Sequence, residues 1–303
     1  MKKKKRNKRF LWPIEYLAAS AVLALVRLLP IRTAIRMGGA LGRLAFAISK
    51  RHHAITIDNL TKSFRDKGPD EIRAIARSVY TGLGYQAVEF MRSDRYAGRK
   101  AEDFFSFVNY EAILKAQSRG KGVLLLTGHC GSWELMAMAQ ALKGRPFGIV
   151  VRPLDNPYLE RAVTNIRTRF GNKLINKKSG MREILRTLEG GGLVGILLDQ
   201  NVSRKEGVFV DFFGRPACTN KGLALIAKKT GAPVIPAFTR RTGLCTHEIL
   251  AGDEMPLIDT GDKEADIIAN TQAYTRVIED FIRENPDQWF WMHRRWKTAP
   301  ERA

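Results

Sequence analysis

From about residue 120 onward, the chain alternates short, continuous apolar runs with segments of helical periodicity. The apolar runs lie at 123–127, 147–151, 193–198 and 234–238. The helical segments between them lie at 132–143, 157–170, 180–189 and 219–230. Continuous apolar runs separated by helices are typical of a sheet that is buried on both faces. The pattern predicts an α/β fold, with a layered sheet flanked by helices.

Two longer helical patterns lie outside this alternation. One covers 71–92, and the other covers 264–284 and is stopped by Pro286. We therefore predict two domains: a helical region over 1–95, and an α/β domain of catalytic type over 96–303.

The chain begins with a basic run at 1–9, followed directly by an apolar segment at 10–30. As a helix, that segment is roughly 31 Å long, about the thickness of a bilayer core. A signal peptide fits less well, because Glu15 and Arg27 interrupt the run and no small-residue cleavage site follows. A buried helix of a soluble protein is the second alternative. We favour a membrane anchor, since the basic run suits anionic headgroups.

The topology of this anchor stays open at the level of sequence. A single crossing by 10–30 would put the body of the chain on the other side of the membrane from residues 1–9. A second, weaker apolar stretch lies at 33–49. A shallow hairpin or an in-plane helix would keep both ends cytoplasmic.

Composition narrows the class of partner. The 303 residues carry a formal net charge of +21, which favours anionic partners such as membranes, phosphorylated substrates, acidic carriers or nucleic acid. Nucleic-acid binding is a remote alternative, because the chain lacks a recognisable helix-turn-helix, zinc-finger or RNP pattern. Three cysteines favour a reducing compartment, and no cysteine–histidine spacing suggests a metal.

The candidate chemistry lies where the first apolar run ends. His129 follows the run after one glycine, and Ser132 is placed to cap a helix whose first turn carries Glu134. We expect Glu134 to hydrogen-bond one ring nitrogen of His129 and make the other a better base. Backbone N–H groups near 128–132 would hold an oxyanion. Cys130 is a rival nucleophile, but a packing role is favoured.

Six blocks in order resemble one family: TGHCGSWE, VVRPLDNP, IRTRFG, LLDQN with GVFVDFFGRPA, TGAPVIPAF and PDQWFWMHRRWK. These are similar to the late lauroyl and myristoyl acyltransferases of lipid A biosynthesis, within the lysophospholipid acyltransferase superfamily. The resemblance covers most of the chain. It implies a glycerolipid acyltransferase-like fold and transfer of a fatty acyl group to a hydroxyl of a lipid.

The resemblance also assigns roles to residues. In the H-x-x-x-x-D/E motif, His129 would be the base and Glu134 its orienting acid. Asp199 would be a further site residue, and the functional arginine falls on Arg167 or Arg169, because both lie in IRTRFG. We take Arg167 as catalytic and Arg169 as substrate-binding.

Arg152, in VVRP, matches an arginine that would contact phosphate of the acceptor. DQNVSRKEG stands where other branches have an FPEGT-type block, which favours a lipid A precursor over a lysophospholipid, although another glycolipid or a lysophospholipid stays an alternative. The implied donor is acyl carrier protein or coenzyme A, with no further cofactor. The implied place is the inner membrane, with the site facing the cytoplasm.

Two aromatic groups leave alternatives open. Phe209, Phe212 and Phe213 would line an acyl channel or belong to the core. The tail at 286–297 mixes aromatic and basic residues, which fits either a membrane interface or a docked terminal strand.

Overall fold

The structure is a computed structural model, and it describes residues 9–300. Apart from Arg9, the basic run at 1–9 therefore lies outside the described residues.

Seven strands form one mixed sheet, in the order β1-β9-β8-β2-β5-β3-β4. They are β1 (Phe105–Val108), β2 (Val123–Thr127), β3 (Phe147–Val151), β4 (Lys173–Asn176), β5 (Leu193–Leu197), β8 (Val234–Arg241) and β9 (His247–Ala251). Only β8 and β9 are antiparallel neighbours in this sheet. A separate antiparallel hairpin is formed by β6 (Gly207–Asp211) and β7 (Pro216–Asn220). The four predicted apolar runs are the consecutive central strands β8, β2, β5 and β3, which confirms the predicted fold class.

Ten α-helices accompany the strands in the described part of the chain. They are α1 (Trp12–Leu28), α2 (Ile31–Ile48), α3 (Lys50–Ser63), α4 (Pro69–Met91), α5 (Tyr110–Gln117), α6 (Trp133–Leu142), α7 (Pro157–Thr168), α8 (Met181–Glu189), α9 (Gly222–Thr230) and α10 (Lys263–Glu284). The helix expected at 219–230 begins only at Gly222, because the residues before it pair with β6.

Helices α3 and α4 share a core with the sheet. Leu60 of α3 and Ile72 of α4 belong to the same buried cluster as Leu124 of β2 and Val194 of β5. The division into two domains at residue 95 stays a prediction, and the two parts pack together in the structure.

Helices α2 and α4 approach so closely that only glycine fits where they cross. A Cβ atom on Gly84 would lie 2.0 Å from the carbonyl oxygen of Gly38, and one on Gly42 would lie 2.1 Å from that of Tyr80. Such distances are below any van der Waals contact, so these glycines determine how α2 lies on α4.

Helix α1 is apolar but mostly exposed, with Val26 as its buried residue. It is the one helix in the described part of the chain that is long and apolar enough to cross a membrane. Near its start, Asn156 at the beginning of α7 donates hydrogen bonds to the Trp12 carbonyl and to Glu15, both at 3.0 Å. At its end, Arg92 donates to the carbonyl of Val26 at 2.7 Å. The exposed helix is thereby held at both ends.

Candidate active site

The register of the two central strands brings two side chains together. Thr127 of β2 pairs with Leu197 of β5, and the strands run parallel. His129 and Asp199 each follow by two residues, so they meet at the carboxyl edge of the sheet. The Nδ1 atom of His129 lies 2.8 Å from Oδ1 of Asp199. Ligand sites of α/β sheets lie at this edge.

Asp199 is a buried carboxylate that accepts three hydrogen bonds. Besides the ring of His129, its Oδ2 accepts the backbone N–H of His129 at 2.8 Å and the indole N–H of Trp289 at 2.7 Å. Burial raises the pKa of the Asp199 carboxyl, but the charge and hydrogen bonds of His129 outweigh it and hold the pKa well below its usual range. Asp199 is therefore ionised and can only accept, so Nδ1 of His129 carries the proton.

His129 keeps 21% of its side chain exposed. Burial lowers its pKa, but the charge of Asp199, its hydrogen bond and the charge of Glu134 outweigh burial, so the pKa is raised above the ordinary value of 6.5. The ring lies beside the aromatic rings of Trp133 and Phe290, with centroids 5.2 Å and 6.4 Å away. With the ring proton held on Nδ1, Nε2 has the lone pair that a general base needs.

Glu134 does not make the expected hydrogen bond to His129. Both of its carboxylate oxygens accept from the guanidinium of Arg167, at 2.9 Å and 2.5 Å. Glu134 lies in the first turn of α6 and Arg167 in the last turn of α7, where a bidentate pair fits the planar fork of arginine. The partner that orients the His129 ring is Asp199, and Glu134 acts on that ring through its charge alone.

Ser132 is the N-cap residue of α6, but its side chain makes no capping hydrogen bond. Its hydroxyl instead accepts from Arg241 at 3.3 Å. Arg241, at the end of β8, also pairs with the buried carboxylate of Glu89 on α4, and His247 lies 2.9 Å from that carboxylate. This network connects α4 to the loop that carries His129.

The two arginines left open by the sequence have different surroundings. Arg167 faces Glu134, whereas Arg169 is exposed. Two residues along a helix turn the side chain by about 200°, so Arg169 points away from that pair. Arg152 follows β3 at the same edge of the sheet, is 69% exposed, and lies 3.1 Å from Asp155.

The C-terminal segment is docked against the site, which decides between the alternatives for the aromatic tail. The Gly131 N–H donates to the Gln288 carbonyl at 2.6 Å, and the Phe290 N–H donates to the His129 carbonyl at 3.1 Å. Trp289 is buried between them. The segment therefore runs beside the His129 loop like a short antiparallel strand.

Cys130 and the three phenylalanines are also placed. Cys130 is buried, and burial raises the pKa of its thiol well above the ordinary value, which disfavours a thiolate nucleophile. Phe212 and Phe213 are buried in the core against Trp289 and Trp291, while Phe209 is half-buried.

Several residues of the site were not assigned from sequence. Trp289 lies 90 positions from the carboxylate that it bonds. Gln200 directly follows Asp199, and its amide nitrogen lies 3.2 Å from Nε2 of His129. The position of Gln200 directly after Asp199, the acid that follows a buried strand, was the indication in the sequence that it belongs to the site. No sequence pattern indicated the contacts of Trp289 or Arg241, since these depend on tertiary packing.

A histidine ring held by a buried carboxylate, at the carboxyl ends of parallel strands, is an arrangement that can activate a hydroxyl or water for attack. Comparison with known proteins shows the family to which the chain belongs. Residues 3–298 match the family described as bacterial lipid A biosynthesis acyltransferase, and the chain belongs to this family. It is accordingly an acyltransferase.

Two relatives illustrate the similarity. The chain is 28% identical to a lipid A biosynthesis acyltransferase of Haemophilus influenzae, over 89% of this chain and 83% of the relative. It is 28% identical to the lipid A biosynthesis lauroyltransferase of Escherichia coli, over 92% of this chain and 90% of the relative. A crystal structure of a 1-acyl-sn-glycerophosphate acyltransferase from Thermotoga maritima aligns with a TM-score of 0.38 and 15% identity, covering 82% of this chain and 97% of that one.

Proposed function

We propose that the protein is a membrane-associated acyltransferase that moves a fatty acyl group from a thioester of acyl carrier protein, or of coenzyme A, to a hydroxyl of a lipid A precursor. The observation that carries the proposal is the His129–Asp199 contact, which keeps the ring proton on Nδ1 and gives Nε2 a lone pair at the carboxyl edge of the sheet. Family membership supplies the acyl chemistry.

In the proposed reaction, Nε2 of His129 removes the proton of the acceptor hydroxyl while its oxygen attacks the thioester carbonyl carbon. Asp199 stabilises the imidazolium that forms. The tetrahedral intermediate then expels the thiolate, which takes the proton back from Nε2. The products are an ester and a thiol, and the enzyme needs neither a covalent acyl intermediate nor a further cofactor.

The charged groups beside the base support an anionic acceptor. Arg167 and Glu134 form an ion pair near enough for both charges to act on His129, and Arg152 is exposed at the same edge of the sheet. We assign Arg152 to a phosphate of the acceptor, since guanidinium groups bind phosphate well. Arg169, which is exposed and turned away, is a weaker candidate for that role.

Membrane association is supported by α1. Large apolar side chains are exposed along it, including Leu17 at 65% and Leu25 at 53%. Its first turn contacts α7, the helix that carries Arg167, so an anchor here would hold the site near the membrane surface. We place the enzyme at the inner membrane with its site facing the cytoplasm, where acyl carrier protein is the partner and nucleic acid is not.

The central test is acyl transfer by the purified enzyme from lauroyl-acyl carrier protein or lauroyl-coenzyme A to a bis-phosphorylated lipid A precursor. We expect His129→Ala to abolish transfer and Cys130→Ala to retain most of it. A folded His129→Ala enzyme with near-wild-type turnover would exclude the proposed base. Transfer to lysophospholipid in preference to the lipid A precursor would redirect the proposal to that acceptor.

The membrane proposal has its own test. Leu17→Asp and Leu25→Asp together should move the protein from the membrane fraction to the soluble fraction, because two charges would enter the apolar face. Leu257→Asp is the matched control, at an exposed leucine outside α1. Unchanged, carbonate-resistant retention of the double variant would place the anchor elsewhere.

A further inference from the structure

The side chain of Gln200 lies at the working nitrogen of the proposed base. Its amide nitrogen is 3.2 Å from Nε2 of His129. Asp199 fixes the ring proton on Nδ1, so Nε2 is an acceptor and the amide N–H of Gln200 donates to it. In this arrangement the amide occupies the direction from which an acceptor hydroxyl would approach.

The backbone at Gln200 is fixed while its side chain is exposed. Its carbonyl accepts from Arg295, whose guanidinium is fully buried, at 3.4 Å. The next residue, Asn201, donates its backbone N–H to Nε2 of His293 at 2.9 Å. Burial lowers the pKa of His293 to about 4, which keeps its ring neutral and able to accept. The amide can therefore rotate about its side-chain torsions without disturbing the loop.

The backbone groups expected to hold an oxyanion are partly engaged already. The N–H of His129 donates to Asp199, and the N–H of Gly131 donates to the Gln288 carbonyl. A tetrahedral intermediate needs donors aimed at the former carbonyl oxygen. Because that oxygen and the attacking oxygen are bonded to the same carbon, it forms close to Nε2, within reach of the Gln200 amide.

We propose that Gln200 is a catalytic residue, whose amide covers Nε2 of His129 in the free enzyme and donates to the oxyanion during acyl transfer. This inference rests on the proposed function. The acceptor hydroxyl displaces the amide from Nε2 and gives its proton to that nitrogen. The freed N–H then stabilises the charge on the thioester oxygen until the carbon–sulfur bond breaks and the thiolate takes the proton back.

The test is steady-state kinetics of Gln200→Ala and Gln200→Glu, with lauroyl-acyl carrier protein and the bis-phosphorylated lipid A precursor. Loss of one oxyanion donor lowers kcat by about 100-fold or more. We expect that loss in Gln200→Ala, with little change in the KM for the acceptor. Gln272→Ala is the control, because its amide bonds only the backbone of Asp211 among the contacts described.

Gln200→Glu separates a catalytic amide from a structural one. The carboxylate has the same shape as the amide but cannot donate a hydrogen bond, so kcat should be as far below the wild-type value as in Gln200→Ala. Its charge beside Nε2 should also raise the pKa of His129 and move the acid limb of the pH–rate profile to higher pH. The ring nitrogens of His129, assigned in ¹⁵N NMR spectra by their loss in His129→Ala, report that shift without any turnover.

The outcomes separate this inference from the proposed function. If the wild type transfers acyl groups and Gln200→Ala has the same kcat or a higher one, the role of Gln200 is overturned and the proposed function is not. A pKa of His129 that is the same in Gln200→Glu as in the wild type contradicts the contact itself. A folded wild type that transfers no acyl group to the lipid A precursor overturns both.

Discussion

Asp199→Asn is the substitution that tests the site most directly. It keeps the size of the side chain and removes its charge. Oδ2 of Asp199 accepts two N–H groups, from the His129 backbone and the Trp289 indole. An asparagine that turned its NH₂ toward them would lose both bonds, at a cost of about 2–6 kcal/mol in total. Its amide oxygen must therefore take the Oδ2 position.

That orientation places the amide NH₂ against Nδ1 of His129. Nδ1 then has to accept, so the ring proton moves to Nε2 and the base loses its lone pair. The corresponding change in Ser–His–Asp triads lowers kcat by about 10⁴-fold, or about 5 kcal/mol of barrier. We expect a loss of that order in kcat. The acid limb should also move to lower pH, because the charge that raises the pKa of His129 is gone.

The measurement is acyl transfer against pH, together with ¹⁵N NMR of the His129 ring, which distinguishes the two tautomers. Asp280→Asn, at an exposed position on α10, is the matched control. An Asp199→Asn enzyme within about tenfold of wild-type kcat, with its ring proton still on Nδ1, would refute this reasoning.

Glu134, the raised pKa of His129 and the close approach of α2 and α4 each have a measurable consequence. Glu134→Gln should lower kcat by only about 10–100-fold, since it weakens the ion pair with Arg167 and leaves the contact between Asp199 and Nδ1 of His129 intact. A loss as large as that of Asp199→Asn would instead support a direct hydrogen bond between Glu134 and His129. For the wild type, the acid limb of kcat/KM should lie above pH 6.5, because the base must be deprotonated and its pKa is raised; a limb at lower pH contradicts this. Gly84→Ala should destabilise the protein by about 1–3 kcal/mol or more by forcing α2 and α4 apart, whereas Gly82→Ala, with open space around it, should be neutral or stabilising. Thermal unfolding of both variants checks the difference.

The sequence by itself determined the central architecture. Buried parallel strands must be apolar along their whole length, so the runs at 123–127 and 147–151 were readable with their bounds. The edge strand β1 is partly exposed and only four residues long, which leaves no comparable pattern. The sequence likewise indicated His129, Glu134, Arg167 and Asp199 as candidate site residues, through a local pattern and a family resemblance.

Only the tertiary structure decided how those four residues pair. The spacing of His129 and Glu134 along the chain suggested a dyad, but the register of β2 and β5 places Asp199, 70 positions away, on the imidazole. Glu134 then turns to Arg167 from a different helix. Trp289 completes the carboxylate site from the far end of the chain. Contacts between distant segments depend on strand register and helix packing, and neither leaves a periodic trace in the sequence.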